Sequence, residues 1–301
     1  MPKMRIQTRL ERMIDHEIFQ LVLSLKENLD KPRKRLPLVF CVAVRGCPFE
    51  VLATVDLTEY DLERYDRQIR IYGFGEDGQR KLKEADILIA GAGGLGFPIS
   101  VYLAAAGVGR LRIADNDKVE LSNLNRQILH WDKDIGKKKV ESACEKLTQI
   151  NPKVKVEIYY EEINDKTVSS LVDDADAIVD AMDNYVARYA LNRASLEKKI
   201  PFFHGAVHGL TGQATTIVPR RTACLRCIFP KAPPRETFPI LGAVAGTVGA
   251  IQATEVIKYF TGIGDLLKNK LLLYDALHME IEKIDVKQSP TCPDCQTYSD
   301  H

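Results

Sequence analysis

Apolar positions along this chain change their spacing at regular intervals, and the changes mark out alternating strands and helices. Residues 86–90, Asp-Ile-Leu-Ile-Ala, form an apolar run of the length of a buried parallel strand. The run ends in glycines at Gly91, Gly93 and Gly96, after which residues 97–108 return to a helical pattern. A second strand is predicted over 111–114, and a helix over 137–150 that places Val140, Cys144, Leu147 and Ile150 on one face and stops at Asn151-Pro152. The alternation continues with a strand at 154–159, a helix at 165–172, a strand at 176–180, a helix at 185–197 and a strand at 201–203. Strand and helix in turn predict an α/β fold, a doubly wound, Rossmann-like and mostly parallel sheet. Beyond His204 the pattern gives strands at 212–219, 271–274 and 279–286 with a single long helix at 250–260, so this part is predicted to extend the sheet with antiparallel strands.

Upstream, residues 57–69 read as a helix with Thr58 as N-cap and acids in its first turn. Residues 1–57 form an N-terminal extension: helical spacing over 14–25, a basic run at 31–35, and a possible hairpin around Arg45-Gly46-Cys47-Pro48. The basic run reads as a solvated linker or as a docking segment for an acidic partner, and Cys41 and Cys47 as small apolar residues. The domain boundary is therefore placed between 57 and 58.

The glycine turn carries the first chemistry. In a strand–turn–helix context, the first glycine permits the tight turn, the second lets backbone N–H groups approach a phosphate, and the third lets helix pack on strand. Asp115 follows Gly91 at about the spacing, roughly 20 residues, at which ribose-binding acids fall. A nucleotide is the ligand this order predicts; a bare turn without a ligand is the bland alternative. Residues 116–127, dense in Asp, Asn, Arg and Gln, are too polar for a core element and read as a working loop beside that site.

Composition narrows the setting. The 301 residues are 45% hydrophobic, ample for a core, and a formal net charge of +1 gives no whole-protein pull toward nucleic acid or membrane. The N-terminus lacks the continuous apolar segment of a secretory signal, so a cytoplasmic protein is expected. Seven cysteines suit a reducing compartment and a metal better than a disulfide framework. Four stand in two pairs, Cys224 with Cys227 and Cys292 with Cys295. Thiolates three apart on a tight turn can share one ion, so the pairs together make a tetrahedral S₄ site suited to zinc. Far more residues separate the pairs than the 15–20 or so of a self-contained zinc module. The metal is thus expected to staple distant segments, with no open coordination position for chemistry; a redox CxxC is the competing reading.

Taken together, Arg64-Tyr65-Asp66-Arg67-Gln68, the GAGGLG loop, Asp115-Asn116-Asp117, Ser122-Asn123-Leu124-Asn125-Arg126-Gln127, residues 136–139, Asp183-Asn184 and the two CxxC pairs resemble the E1-like adenylyltransferases of the ThiF, MoeB and HesA group. These enzymes activate ubiquitin-like sulfur carriers in molybdopterin and thiamin biosynthesis. The resemblance implies ATP over Gly91, Gly93, Gly94 and Gly96, and Asp115 on the ribose hydroxyls. Asn123, Arg126 and Lys139 would contact the phosphates, Asp117 and Gln127 would lie beside the nucleotide, and Asp183 would bind Mg²⁺. It also implies a homodimer in which Arg67 reaches the neighbouring subunit's ATP site, and a partner ending in Gly-Gly whose terminal carboxylate attacks the α-phosphorus. Several relatives carry a cysteine in the loop before the glycine-rich helix. Here that loop is short and holds Phe238 near the expected place, which favours adenylation alone.

Each assignment has a plainer counterpart: Asp183 as a helix cap, Lys139 as a solvated residue, Asp117 as a loop orienter. Three other functions share part of the pattern. A nicotinamide oxidoreductase shares the glycine motif, but Lys139, Asp183 and residues 122–127 set cation and metal chemistry where a nicotinamide needs room. A tRNA-modifying dehydratase uses ATP similarly, but the four cysteines and near-neutral charge argue against it. A non-catalytic E1-like scaffold is opposed by the presence of the arginines, Lys139 and Asp183 together.

Overall fold

A reciprocal cap starts the first helix in the computed structural model, which describes residues 55–232 and 238–298. The Thr58 hydroxyl accepts from the Asp61 amide at 3.2 Å and the Asp61 carboxylate accepts from the Thr58 amide at 2.9 Å, opening α1 (Glu59–Arg64). The single helix predicted to residue 69 breaks at Tyr65 and resumes as α2 (Asp66–Ile69). Tyr65 leaves helical geometry, at φ −101° and ψ 12°, with its ring buried and its hydroxyl accepting from Asn151 Nδ2 at 2.8 Å. The extension's expected helix, basic run and hairpin, and residues 233–237, lie outside the described residues.

The alternation then follows: α3 (Gly75–Glu84), β1 (Asp86–Ala90), α4 (Gly96–Ala106), β2 (Arg110–Ala114), α5 (Lys139–Ile150), β3 (Lys155–Tyr159), α6 (Val168–Val172), β4 (Ala177–Asp180), α7 (Tyr185–Lys198) and β5 (Phe202–His208). The second half comprises β6 (Thr211–Ile217), α8 (Leu225–Ile228), α9 (Gly242–Thr261), β7 (Lys270–Asp275), β8 (Glu280–Asp285) and α10 (Pro293–Thr297). One sheet runs β3-β2-β1-β4-β5-β6-β7-β8, parallel from β3 to β5 and antiparallel from β5 to β8. This is the mixed sheet the pattern predicts.

The unbroken apolar run of β1 follows from its central place in the sheet. Ile87 and Ile89 face the layer that holds Ile99 and Leu103 of α4, Val140 and Leu147 of α5 and Val248 of α9. Leu88 and Ala90 face Leu171 of α6 and Leu191 of α7. Both faces are covered, so no position is left for a polar side chain.

Three boundaries differ most from the sequence pattern, two for a tertiary reason and one for a local turn. β5 runs to His208 rather than stopping at 203, because its far half pairs antiparallel with β6 from Phe202↔Ile217 to His208↔Thr211. α6 begins at Val168 because residues 164–167 are held in a turn, with the Lys166 amide donating to Asn164 Oδ1 at 2.9 Å and the Asn164 amide to Thr167 Oγ1 at 3.1 Å. α9 begins at Gly242 rather than 250. Its glycines are contact surfaces: a Cβ on Gly249 would stand 2.3 Å from Pro98 Cγ of α4, and one on Gly242 would stand 2.7 Å from the Asn125 carbonyl oxygen.

β2 and β4 flank β1 on opposite sides, so the connections leaving β1 and β4 diverge, with α4 on one face of the sheet and α7 on the other, and open a crevice at the strands' carboxyl ends. At the other end of α4, Gly107 holds φ +82°, and a Cβ there would lie 2.4 Å from the Tyr65 ring. Gly107→Ala is expected to lower the free energy of unfolding in urea by roughly 2–3 kcal/mol from left-handed strain and clash.

Candidate functional site

The glycine turn is built as tightly as a turn can be. Gly91 sits at φ +110° with its Cβ position 2.7 Å from the Ala181 carbonyl oxygen, and a Cβ on Gly96 would lie 2.0 Å from the Gly91 carbonyl oxygen. Neither position admits a side chain. The turn delivers the chain to the N-terminus of α4, where free amides and the helix dipole favour an anion.

Asp115 locks this turn to the loop that follows β2. Its Oδ2 accepts from the Ala92 amide and its Oδ1 from the Asp117 amide, each at 2.8 Å. Burial pushes its carboxyl above the ordinary range, against the opposing pull of Lys139 and these amides. Lys139 is buried at the start of α5, not solvated, and its Nζ lies 2.7 Å from Asp117 Oδ2.

A cavity of about 1120 Å³ opens over these residues at the carboxyl ends of β1 and β4. It brings together Gly91, Gly93, Gly94, Asp115, Asp117, Arg126, Gln127, Lys139 and Asp183. Arg126 Nη1 donates to the Ser122 carbonyl at 2.8 Å and to Asn125 Oδ1 at 3.1 Å, which leaves the rest of its fork free to turn to the cavity. Gln127 Oε1 is buried with no hydrogen-bond partner among the described residues. Asp183 is exposed, and among the described residues its carboxylate accepts from Asn184 Nδ2 at 3.2 Å. Asn184, not Asp183, caps α7 through a bond from the Ala187 amide at 2.9 Å, so the carboxylate remains available to a hard cation.

Three of the predicted residues stand outside the lining. Gly96 lies beneath it as a packing position. Asn123 is buried in the 120–123 turn, where its Oδ1 accepts from the Glu120 amide at 3.1 Å. Arg67 is exposed on α2, away from this chain's cavity.

Behind the cavity wall, reaching it through Arg188 and Gln213, lies a polar chain that the sequence pattern does not reveal. Asp180, at the end of β4, is fully buried; its Oδ2 lies 2.6 Å from His204 Nδ1, and its Oδ1 accepts from the Met182 amide at 2.9 Å. Arg188 Nε faces the same carboxylate at 3.4 Å, near enough for an ion pair but not aligned for a hydrogen bond, while Nη2 donates to the Met182 carbonyl at 2.6 Å. Gln213 Nε2 stands 3.2 Å from His204 Nε2. A second chain props the glycine turn from below: His130 places Nε2 2.9 Å from the Ala92 carbonyl and Nδ1 2.9 Å from Ser142 Oγ, and Ser142 accepts from Lys146 at 2.7 Å. The one sequence signal for either chain is a polar residue beside an otherwise apolar run.

The four cysteines do converge. Their sulfurs lie within 4.8 Å of one another, with Cys224 Sγ 3.5 Å from Cys292 Sγ and Cys227 Sγ 3.6 Å from Cys295 Sγ. Metal–sulfur bonds of about 2.3 Å in a tetrahedron place sulfurs about 3.7–3.8 Å apart, so the cluster fits a thiolate-bound cation. Cys224 and Cys292 each start a short helix, and Asn192 of α7 ties the two together. Its Oδ1 accepts from the Leu225 amide and its Nδ2 donates to Asp294 Oδ2, both at 2.9 Å. The Ser289 amide points at Cys227 Sγ at 3.3 Å.

A doubly wound sheet with a glycine cradle, a tethered acid and converging cations at its switch point, closed by a four-cysteine staple, defines the E1-like nucleotidyltransferase class. A model of the ThiF family matches residues 65–294, and the chain belongs to that family. The SAMP-activating enzyme E1 of Haloferax volcanii is 43% identical over 248 residues, covering 80% of this chain and 92% of that one. The sulfur carrier protein adenylyltransferase of Thermus thermophilus is 38% identical over 249 residues, covering 79% and 92%. Among solved structures, Escherichia coli MccB with ATP superposes with a TM-score of 0.71 at 28% identity, covering 79% of this chain and 75% of that one.

His130 and His204 are both held below their ordinary pKa by burial. Below about pH 6.5, the unfolded value, the unfolded chain therefore binds more protons than the folded one, and stability present above that pH is lost as it falls. The thermal midpoint is expected to drop between pH 7 and pH 5. Asp115, raised by burial, acts in the opposite sense.

Proposed function

We propose that this chain adenylates the C-terminal glycine carboxylate of a small ubiquitin-like sulfur carrier of the MoaD or ThiS type, a partner ending in Gly-Gly, with ATP as the other substrate. The products are carrier acyl-adenylate and pyrophosphate. One observation carries the reading: a single cavity gathers the glycine cradle, Asp115, the cations Lys139 and Arg126, and the free carboxylate Asp183. The chain's named relatives act as adenylyltransferases or activating enzymes. No described helix is long and apolar enough to cross a membrane, and the proposed setting is cytoplasmic.

The chain's own groups supply position and charge. The cradle amides and the α4 N-terminus receive phosphate oxygens, and Asp115, already oriented by two amides, offers its remaining lone pairs to ribose hydroxyls. Lys139 is paired with Asp117 beforehand, so it is aligned before the nucleotide arrives and needs little reorganisation to offset charge as pyrophosphate leaves. Asp183 would hold Mg²⁺, which would neutralise phosphate charge. The attacking carboxylate is ionised near neutral pH, so no general base is needed and the acceleration comes from positioning and charge stabilisation.

Phe238, near the place where the family resemblance puts a cysteine in several relatives, stacks on His208 with ring centroids 5.6 Å apart, and this supports adenylation without a covalent carrier–enzyme bond. Exposed Arg67 is assigned to the cavity of a neighbouring copy, which makes the working form a homodimer. Residues 58–301 carry the reaction, and residues 1–57 are an extension available for docking.

ATP–pyrophosphate exchange is expected to require Mg²⁺ and a carrier with an intact Gly-Gly end. Asp183→Ala or Lys139→Ala should lower it by roughly 10²-fold or more, the scale of losing a charge-stabilising group. Exchange that is indifferent to the tail, or unchanged in both variants, would refute the reading. The four-cysteine cluster is assigned to zinc. Elemental analysis should find about one zinc per chain, lost in Cys224→Ser together with thermal stability.

A further inference from the structure

Gln213 sits where the sheet changes from parallel to antiparallel, in register with Ala206 of β5 and Leu273 of β7. Its side chain lines the cavity, and what lies behind it fixes which end of its amide turns inward. Asp180 accepts from its own Met182 amide and faces the Arg188 guanidinium, so it is a carboxylate and can only accept from His204. His204 Nδ1 therefore carries the proton at that 2.6 Å contact, and its Nε2 is a lone-pair acceptor. Gln213 must then donate through Nε2 across the 3.2 Å to the ring, which leaves its carbonyl oxygen Oε1 for the cavity. A freely rotating glutamine would offer either end; this one has an Nε2 hydrogen committed to the ring and turns its acceptor Oε1 to the cavity.

The position gives the acceptor its meaning. Asp180 is one residue before Ala181, whose carbonyl presses on Gly91, so the chain starts beside the glycine turn and ends on the antiparallel strands. A Gly-Gly tail reaching the turn presents a terminal carboxylate, which an acceptor oxygen repels, and just behind it the N–H of the last peptide, which it bonds. We propose that Gln213, oriented by the Asp180–His204 pair, binds the substrate by accepting a hydrogen bond from the N–H of the carrier's last glycine and so holds the carboxylate toward the glycine turn. His204 acts through Gln213 and is a positioning residue. The inference rests on the adenylation reading and adds a specificity rule to it: the last residue of the carrier needs an unsubstituted peptide N–H.

The test is pyrophosphate exchange with two carriers, one ending in Gly-Gly and one whose last residue is N-methylglycine. In the unaltered protein kcat/KM is expected to fall roughly tenfold or more on methylation, as for a site polar group left unpaired. Gln213→Leu should lose a similar factor with the Gly-Gly carrier and show little further loss with the methylated one, while the Kd of a non-hydrolysable ATP analogue stays unchanged and reports an intact fold. In His204→Asn, with nucleotide affinity retained, the ratio between the two carriers should shrink toward that of Gln213→Leu. A methylation penalty of equal size in the unaltered protein and Gln213→Leu overturns the inference and leaves adenylation standing. A ratio in His204→Asn equal to that of the unaltered protein overturns the orienting role. Absence of Gly-Gly-dependent exchange in the unaltered protein overturns the adenylation reading, and this inference with it.

Discussion

The approach of α4 to β1 is so close that no side chain fits at Gly96, whose Cβ would stand 2.0 Å from the Gly91 carbonyl oxygen. The rest of the site depends on that contact. It aims the helix N-terminus at the crevice, and Gly91, itself against the Ala181 carbonyl, fixes the distance between the ends of β1 and β4. Two central strands buried on both faces give this arrangement its rigidity, since neither can shift without opening a core.

Around the turn, polar groups are satisfied before any ligand arrives. Asp115 is held by two amides, Lys139 by Asp117, and Ala92 is gripped from both ends, its N–H by Asp115 and its carbonyl by His130. A trans peptide sets its N–H opposite its C=O, so a carbonyl fixed toward His130 sends the next amide, that of Gly93, the other way. Such preorganisation places the energetic cost of alignment in folding rather than in each turnover. Gln127, with Oε1 unpartnered among the described residues, and Asp183, with an exposed carboxylate, both line the cavity.

The cysteine staple serves a different end. Cys224 follows β6 and Cys292 follows β8, which run in the same direction on either side of β7, so the cluster joins their exits and fastens them, through Asn192, to the middle of α7. Four sulfurs leave a cation no open position, and the cluster works by tying together segments that local propensity alone would not keep adjacent. The antiparallel strands that it secures form one wall of the cavity, with Gln213, Tyr274 and Asp275 in the lining.

Sequence by itself determined the parts governed by local rules. The burial of β1 on both faces, the glycine turn, Asp115 at its spacing, the Thr58 cap and the paired cysteines are written in runs of a few residues, because hydrophobic period, backbone φ and ligand spacing are local quantities. The four-cysteine convergence and nine cavity-lining residues followed from those rules together with a family resemblance. Only the tertiary structure decided what depends on strand register and on contact between distant segments. β5 continues to His208 because β6 pairs with it, α9 begins at Gly242 because its glycines meet Pro98 and Asn125, and Asn123 ties a turn while Gln127 faces the cavity. The Asp180–His204–Gln213 chain belongs to this second kind: three side chains on three strands meet only once the sheet is assembled, and no spacing along the chain encodes the hydrogen bonds that orient them.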